Sequence, residues 1–285
     1  MVIKISRFGI CVLLAVMIIL PLGIFGFRTV PALSAQGGER LPIVMYHQLT
    51  QDKSKAGKYV LSMDTFEKDL IYFKENGFSS VTLDQLFRYA AGEQDLPEKA
   101  FMITFDDGCE TVYFHALPLL ERYGFTAVCF AIGSVADKYS MINDHNLAYS
   151  NLTWDEIKEL CDGKIIDVQS HTYDLHNNSD GRSGIKKKKS ETFEQYNEFL
   201  SADALKMKEK MISYTGKAPV AIAYPFGSYS KESRKILEAC GIKAAFTCEE
   251  KVNVIKKAES EWLFGLGRYN RPEGISSESF FEKWE

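Results

Sequence analysis

The chain has 285 residues and a formal net charge of −4, with 25% of its residues charged and 46% hydrophobic. These are ordinary globular values, and the length suits one large domain or two small ones. No basic excess points to a nucleic-acid partner, and six cysteines without CxxC spacing argue against a zinc finger or a full disulfide framework.

The N-terminus stands apart. Lys4 and Arg7 precede an uncharged run from Phe8 to Phe27, long enough as a helix to cross a bilayer. Basic residues ahead of an apolar stretch fit a signal peptide, with candidate cleavage after Ser34 or Ala35, or an uncleaved signal anchor. Residues 1–35 are therefore assigned to a signal or anchor (membrane segment about 8–27), 36–40 to a linker and 41–285 to one exported domain. The membrane is a partner if the segment is retained. The domain is expected to be a monomer, either anchored on the outer side of the cytoplasmic membrane or secreted.

From Leu41 onward the pattern predicts strands alternating with helices. Leu41–Tyr46 reads as a strand. Asp64 is expected to open a helix with Glu67 as its capping partner, and Phe66, Leu70 and Phe73 form an apolar face. A short strand over Ser79–Val81 leads to a helix capped by Thr82 and Gln85. Lys99–Phe105 is a predicted strand, Val112–Tyr123 a helix and Thr126–Ile132 a strand. Thr153 and Glu156 cap a helix ending near Gly163, followed by a strand over Lys164–Gln169 and a long helix over Phe193–Tyr214. Strands over Pro219–Tyr224 and Lys243–Thr247 flank a helix over Lys231–Ala239. Such alternation implies an α/β domain with a parallel sheet, as a barrel or an open sheet, and a site at the C-terminal ends of the strands. His47, the Asp106–Asp107 pair and His171 fall at such ends.

Three segments carry chemistry. Thr104-Phe105-Asp106-Asp107-Gly108 ends an apolar strand in adjacent carboxylates. Alone it reads first as a turn. At a strand terminus both carboxylates can reach one site, one for a metal and one for a proton. Ser170-His171-Thr172-Tyr173-Asp174-Leu175-His176 places two histidines five residues apart, poorly aligned on a helix but able to converge on a turn. With one carboxylate they suit Zn²⁺ or another divalent transition metal, and Asp174 can orient a ligand histidine or cap the turn. In Ala223-Tyr224-Pro225-Phe226-Gly227 a tight turn can aim a backbone N–H at a developing oxyanion. Cys129 and Cys240 read as core thiols, while Cys109 can approach the carboxylates. The loop Asn177–Ser190, with Lys186 to Lys189, reads as solvated, or as a lid or contact to an anionic envelope polymer.

These segments resemble the polysaccharide deacetylase family, the NodB-homology carbohydrate esterases, over residues 41 to 275. The resemblance implies a distorted (β/α) barrel of about seven strands and removal of acetyl groups from N-acetylated sugars. It implies Asp107, His171 and His176 as ligands of a divalent metal (Zn²⁺ first, Co²⁺ or Ni²⁺ as alternatives), and Asp106 as base. The Ala-Tyr-Pro-Phe-Gly turn and Met45-Tyr46-His47 are similar to the subgroup acting on poly-N-acetylglucosamine, and the N–H of Phe226 is assigned to the oxyanion. The sequence departs from the pattern twice. Ala223 stands where many members carry the arginine that holds the base, so Arg268 is the candidate orienter of Asp106. No histidine follows His176, so His47 is chosen over His115 and His145 as general acid or substrate contact. The expected function is metal-dependent N-deacetylation of an N-acetylglucosamine-containing envelope or exopolysaccharide. A catalytically weak carbohydrate-binding module and a small-acetamide amidase are the alternatives.

Overall fold

A computed structural model describes residues 38–284. The predicted signal or anchor and its cleavage sites lie outside them. Among the described residues no helix is long and apolar enough to cross a membrane.

The strands are β1 (Glu39–Leu41), β2 (Ile43–Tyr46), β3 (Gln48–Thr50), β4 (Val60–Ser62), β5 (Ser79–Ser80), β6 (Ala100–Phe105), β7 (Ala127–Ala131), β8 (Ile166–Ser170), β9 (Ala221–Ala223), β10 (Ala244–Phe246), β11 (Asn253–Ile255), β12 (Phe264–Leu266) and β13 (Tyr269–Asn270). The main sheet runs β12-β10-β9-β8-β7-β6-β2-β13 with β5 also on β6, and its pairs are parallel. The predicted α/β fold with a curled parallel sheet is the one observed.

The sheet's two edges, β12 and β13, are consecutive in sequence, joined by Gly267 and Arg268 alone. The chain thus steps across the open seam and drops Arg268 into the interior, fully buried. Asn253 stitches the step. Its Nδ2 donates to the carbonyls of Leu41 and Gly267, both at 3.0 Å, and its Oδ1 accepts the Gly267 N–H at 2.8 Å. A Cβ on Gly267 would lie 2.6 Å from the Glu249 carbonyl, so the step has no room for a side chain.

Alternation along the strands divides the core. Ile43, Met102, Val128, Phe130, Ala221, Ala223, Ala244 and Phe246 face inward in one cluster. Their neighbours Val44, Phe101, Ile103, Phe105, Cys129 and Val168 face outward, against Phe66, Leu70 and Phe73 of the helix Met63–Glu75 and Ile157 and Leu160 of Trp154–Gly163. Asp106 continues the inward series of β6, which carries it into the interior.

Several elements differ from expectation. Pro42 divides the first predicted strand into β1 and β2. The first helix is capped by Ser62, whose hydroxyl accepts the Thr65 N–H, and not by Asp64 and Glu67. Asp64 pairs with Lys53, and Glu67 accepts from Arg122 and Tyr123. The helix Gly133–Ile142 has no side-chain cap to announce it. Its first N–H groups, of Gly133 and Ser134, donate to the carbonyls of Thr172 and Tyr173. β11 to β13 and the helix Ser277–Phe281 are too short to show a period.

Candidate active site

The strand ends open into a cleft of about 640 Å³ lined by His47, Asp106, Asp107, His171, His176 and Phe226, together with Met45, Lys58, Tyr59, Cys248, Glu250 and Asn270. Neighbouring carboxylates share it because the strand stops between them. Asp106 still obeys the alternation, whereas Asp107 and Gly108 adopt left-handed backbone at φ 68° and 67°. The Asn151 side chain donates to the Asp107 carbonyl at 2.8 Å and holds this turn.

Arg268 meets Asp106 in a bidentate pair, Nη1 to Oδ1 at 2.6 Å and Nη2 to Oδ2 at 2.8 Å. The guanidinium is itself fixed, with Nε donating to the Thr247 carbonyl at 3.1 Å and Nη1 to Thr104 Oγ1 at 3.3 Å. Burial pushes the Asp106 carboxyl up, but the adjacent Arg268, helped by His171, outweighs it and holds the group below its ordinary value.

Asp107 Oδ1 lies 3.4 Å from His171 Nε2 and 3.3 Å from His176 Nε2. A tetrahedral ion with bonds of about 2.0–2.1 Å separates adjacent donors by roughly 3.3–3.4 Å, so this donor set fits a divalent metal such as Zn²⁺ and leaves a position open. Burial disfavours a charged His171, but Asp106 and Asp107 outweigh it and raise its pKa. Those carboxylates equally favour a cation placed among the three donors. Burial and the neighbouring His171 lower His176. Asp174 does not orient His171. His171 Nδ1 donates to the Ala223 carbonyl at 2.9 Å, leaving Nε2 directed at Asp107, while Asp174 is exposed.

The turn between the histidines is clamped from three sides. Thr172 sits at φ 73°, a strained conformation for a β-branched residue. The helix Gly133–Ile142 donates to its carbonyls, and Tyr173 Oη donates to Asp137 at 2.7 Å. Asp203 accepts the Tyr173 and Asp174 N–H groups at 2.9 and 2.8 Å. Burial pushes the Asp203 carboxyl up to about 6. A carboxyl raised when folded keeps its proton between about pH 4 and pH 6 while the unfolded chain loses it. Stability should therefore fall across that window by at most about 3 kcal/mol and be level above it. Denaturant midpoints against pH check this, and Asp203→Asn should lose that component of the slope. An identical slope in the variant would remove Asp203 as its source.

His47 lies on the cleft, its ring 4.9 Å from that of Tyr59 and its Nδ1 buried without a partner. Burial lowers its pKa against the opposing pull of Asp106 and Asp107. The other histidines are elsewhere. His115 borders a separate hollow beside Gln48 and Ala148. His145 has a defined setting away from the cleft. It pairs with buried Glu110, which also accepts from Ser150. Glu110, His145 and Glu156 form a second compact donor group that ties residues 145–156 behind the Asp-Asp turn.

Phe226 has left-handed backbone at φ 58°, and its ring packs 4.5 Å from that of His176. The turn's hydrogen bonds begin at Gly227, whose N–H donates to the Tyr224 carbonyl, so the turn leaves the Phe226 N–H unused. Burial pushes the Cys109 thiol far above its ordinary range, which keeps it protonated and speaks against a catalytic thiol. Cys129 and Cys240 are core thiols as expected. In the lysine loop Ile185 is fully buried, and the Lys187 N–H donates to Ser230 Oγ at 3.0 Å. The sequence reading missed Lys58, Tyr59, Glu250 and Asn270. Only the parallel pairing of β3 with β4, and of β13 with β2, brings the last of these and the Lys58–Tyr59 loop to the mouth.

A two-histidine, one-carboxylate set beside an ion-paired buried carboxylate, at the mouth of a curled parallel sheet, defines a candidate hydrolytic centre for an acyl group. A family model described as polysaccharide deacetylase matches residues 93–245, more than half of the chain, and the chain belongs to that family. The poly-β-1,6-N-acetyl-D-glucosamine N-deacetylase of Staphylococcus aureus (strain NCTC 8325 / PS 47) is 29% identical over 194 residues, 68% of this chain and 62% of that protein. The Escherichia coli (strain K12) protein of the same description is 23% identical over 224 residues, 72% of this chain and 33% of that protein. The chain thus spans less than two thirds of the length of these relatives. The solved structure of IcaB from Ammonifex degensii is similar with a TM-score of 0.68 and 25% identity, covering 83% of this chain and 94% of that one. Streptococcus pyogenes deacetylase PplD in complex with acetate shares the fold with a TM-score of 0.70 and 21% identity, covering 87% of this chain and 99% of that one.

Proposed function

We propose that this chain removes N-acetyl groups from a polymer containing N-acetylglucosamine, of the poly-β-1,6-linked kind, and releases acetate. The observation that carries this reading is the bidentate Asp106–Arg268 pair beside the Asp107–His171–His176 donors. A catalytic base must be ionised and aimed, and the guanidinium does both. With Ala223 in place of the family's arginine, the reading is supported by a cation that arrives from the seam instead of β9.

Asp107, His171 and His176 would hold the metal, which when bound supplies Lewis-acid polarisation of the acetamide and acidifies water. Asp106 takes the proton of the attacking water. The unused N–H of Phe226 is available to the carbonyl oxygen as it gains charge. His47, alone among the remaining histidines in lining the cleft, serves the departing nitrogen as proton donor or hydrogen-bond partner. Zn²⁺ is the favoured ion, with Co²⁺ or Ni²⁺ acceptable to the same ligands. Residues 1–35 act as an export signal or anchor, placing the domain outside the cytoplasmic membrane.

Acetate release should be measured on β-1,6-linked N-acetylglucosamine oligomers, chitooligosaccharides and small acetamides, together with metal analysis. The expected result is a stoichiometric bound metal and preference for the β-1,6 oligomers. Preference for small acetamides would favour a small-molecule amidase. Oligomer binding without acetate release would favour a carbohydrate-binding module. Metal-free protein with full activity would overturn the proposed ligand set.

A further inference from the structure

Among the described residues three buried side-chain polar atoms have no hydrogen-bond partner: His47 Nδ1, Asn270 Oδ1 and Trp284 Nε1. Two of these, on His47 and Asn270, belong to residues lining the same cleft. A buried acceptor left unpaired is costly, and a substrate donor that satisfies it converts that cost into selectivity.

The amide of Asn270 is fixed from behind. Its Nδ2 donates to the Lys58 carbonyl at 3.0 Å, which leaves Oδ1, an acceptor with no donor, as its free end. Its height in the cleft follows from the strand. Asn270 pairs with Met45 in parallel register and lies on the same face as Arg268, two residues earlier. Met45 in turn pairs with Thr104, so the Asn270 backbone stands level with Thr104, two residues before Asp106 on β6, and its side chain lines the cleft together with Met45. The contact to Lys58 also ties Asn270 to the loop carrying Tyr59, half exposed and edge-on to His47. The acceptor thus lies beside the reacting centre, where the ring bearing the acetamide would sit against an aromatic wall.

Resting on the deacetylase reading above, we propose that Asn270 is a specificity-determining residue whose Oδ1 accepts a hydrogen bond from a hydroxyl of the sugar ring undergoing deacetylation. The ring, and not only the acetyl group, is read by the protein, and the reader is set by the edge strand beside the seam.

The test is a cycle on kcat/KM for acetate release, using N-acetylglucosamine oligomers and their monodeoxy analogues with wild type, Asn270→Ala and Asn270→Asp. With wild type, one monodeoxy analogue should lose about 10-fold, equivalent to about 1.4 kcal/mol. Asn270→Ala should be weaker on the parent oligomer by a similar factor and show no further loss with that analogue. Asn270→Asp, which keeps an acceptor, should retain part of the discrimination and guards against a misfolded alanine variant. Equal discrimination by wild type and Asn270→Ala overturns the inference, as does wild type that ignores every hydroxyl. Wild type that releases no acetate from any oligomer overturns the deacetylase reading, and the inference with it, before any variant is compared.

Discussion

Asp106→Asn is expected to lower kcat for acetate release by about 10²–10⁴-fold, the usual contribution of a positioned general base. Asparagine is nearly isosteric and can still accept one bond from Arg268, but it has no basic lone pair that can take the water's proton at neutral pH. The proposed metal donors are untouched, so on that proposal metal content should stay stoichiometric. That measurement separates a missing base from a collapsed site. Loss of the charge leaves Arg268 buried and unpaired, so the variant should also unfold at lower denaturant, and rates should be compared where it is still folded. The division of labour between the adjacent aspartates would fail if Asp106→Asn kept activity within a few-fold of wild type. It would equally fail if the variant lost its metal, since Asp106 would then be a ligand and not a base.

How far this centre is legible in sequence depends on whether each contact is made by a side chain or by backbone. The Asp-Asp-Gly turn, the paired histidines and the late Arg268 are side-chain features; the fold brings the two carboxylates and the two histidines to one cleft and buries Arg268 against Asp106. Backbone partners leave no such trace. The Ala223 carbonyl that orients His171 has no residue-specific signature, and the expectation of Asp174 arose because a carboxylate is the visible alternative. The helix Gly133–Ile142 was hidden for the same reason, being capped by carbonyls from a distant turn. Gly133 itself is a packing demand, because a Cβ there would meet the Tyr173 ring at 2.6 Å. The parallel sheet was readable from its longer strands, β6, β7 and β8. β12 and β13 span only three and two residues, below any useful period. They exist because pairing with β10 and β2 satisfies their backbone groups, which leaves Asn270 without a sequence signal of its own.

The Arg268–Asp106 pair makes a second strong prediction, on stability as well as rate. Both side chains are essentially removed from solvent. Deleting one partner of such a pair leaves an uncompensated buried charge, and Arg268→Met should cost about 3–5 kcal/mol in unfolding free energy. The pH behaviour follows from the same contact. In the wild type the Asp106 pKa is lowered, so the pair's stabilisation is present above the unfolded-state value of about 3.9 and is lost as pH falls through the lower folded-state value. Without the guanidinium, burial becomes the dominant influence and raises the carboxyl. Asp106 would then bind a proton in the folded state at a pH where the unfolded chain has released it, and its contribution would decline with rising pH. The acid limb of activity should move upward with it. Arg268→Lys restores a charge but cannot bridge both oxygens, and it should fall between the two. The decisive comparison is the double variant Arg268→Met with Asp106→Asn. A neutral amide beside a methionine buries no charge, so the double variant should be more stable than the sum of the single losses allows. Strictly additive losses, measured as denaturant midpoints at neutral pH, would show that the two side chains act independently and that Arg268 does not steady the base.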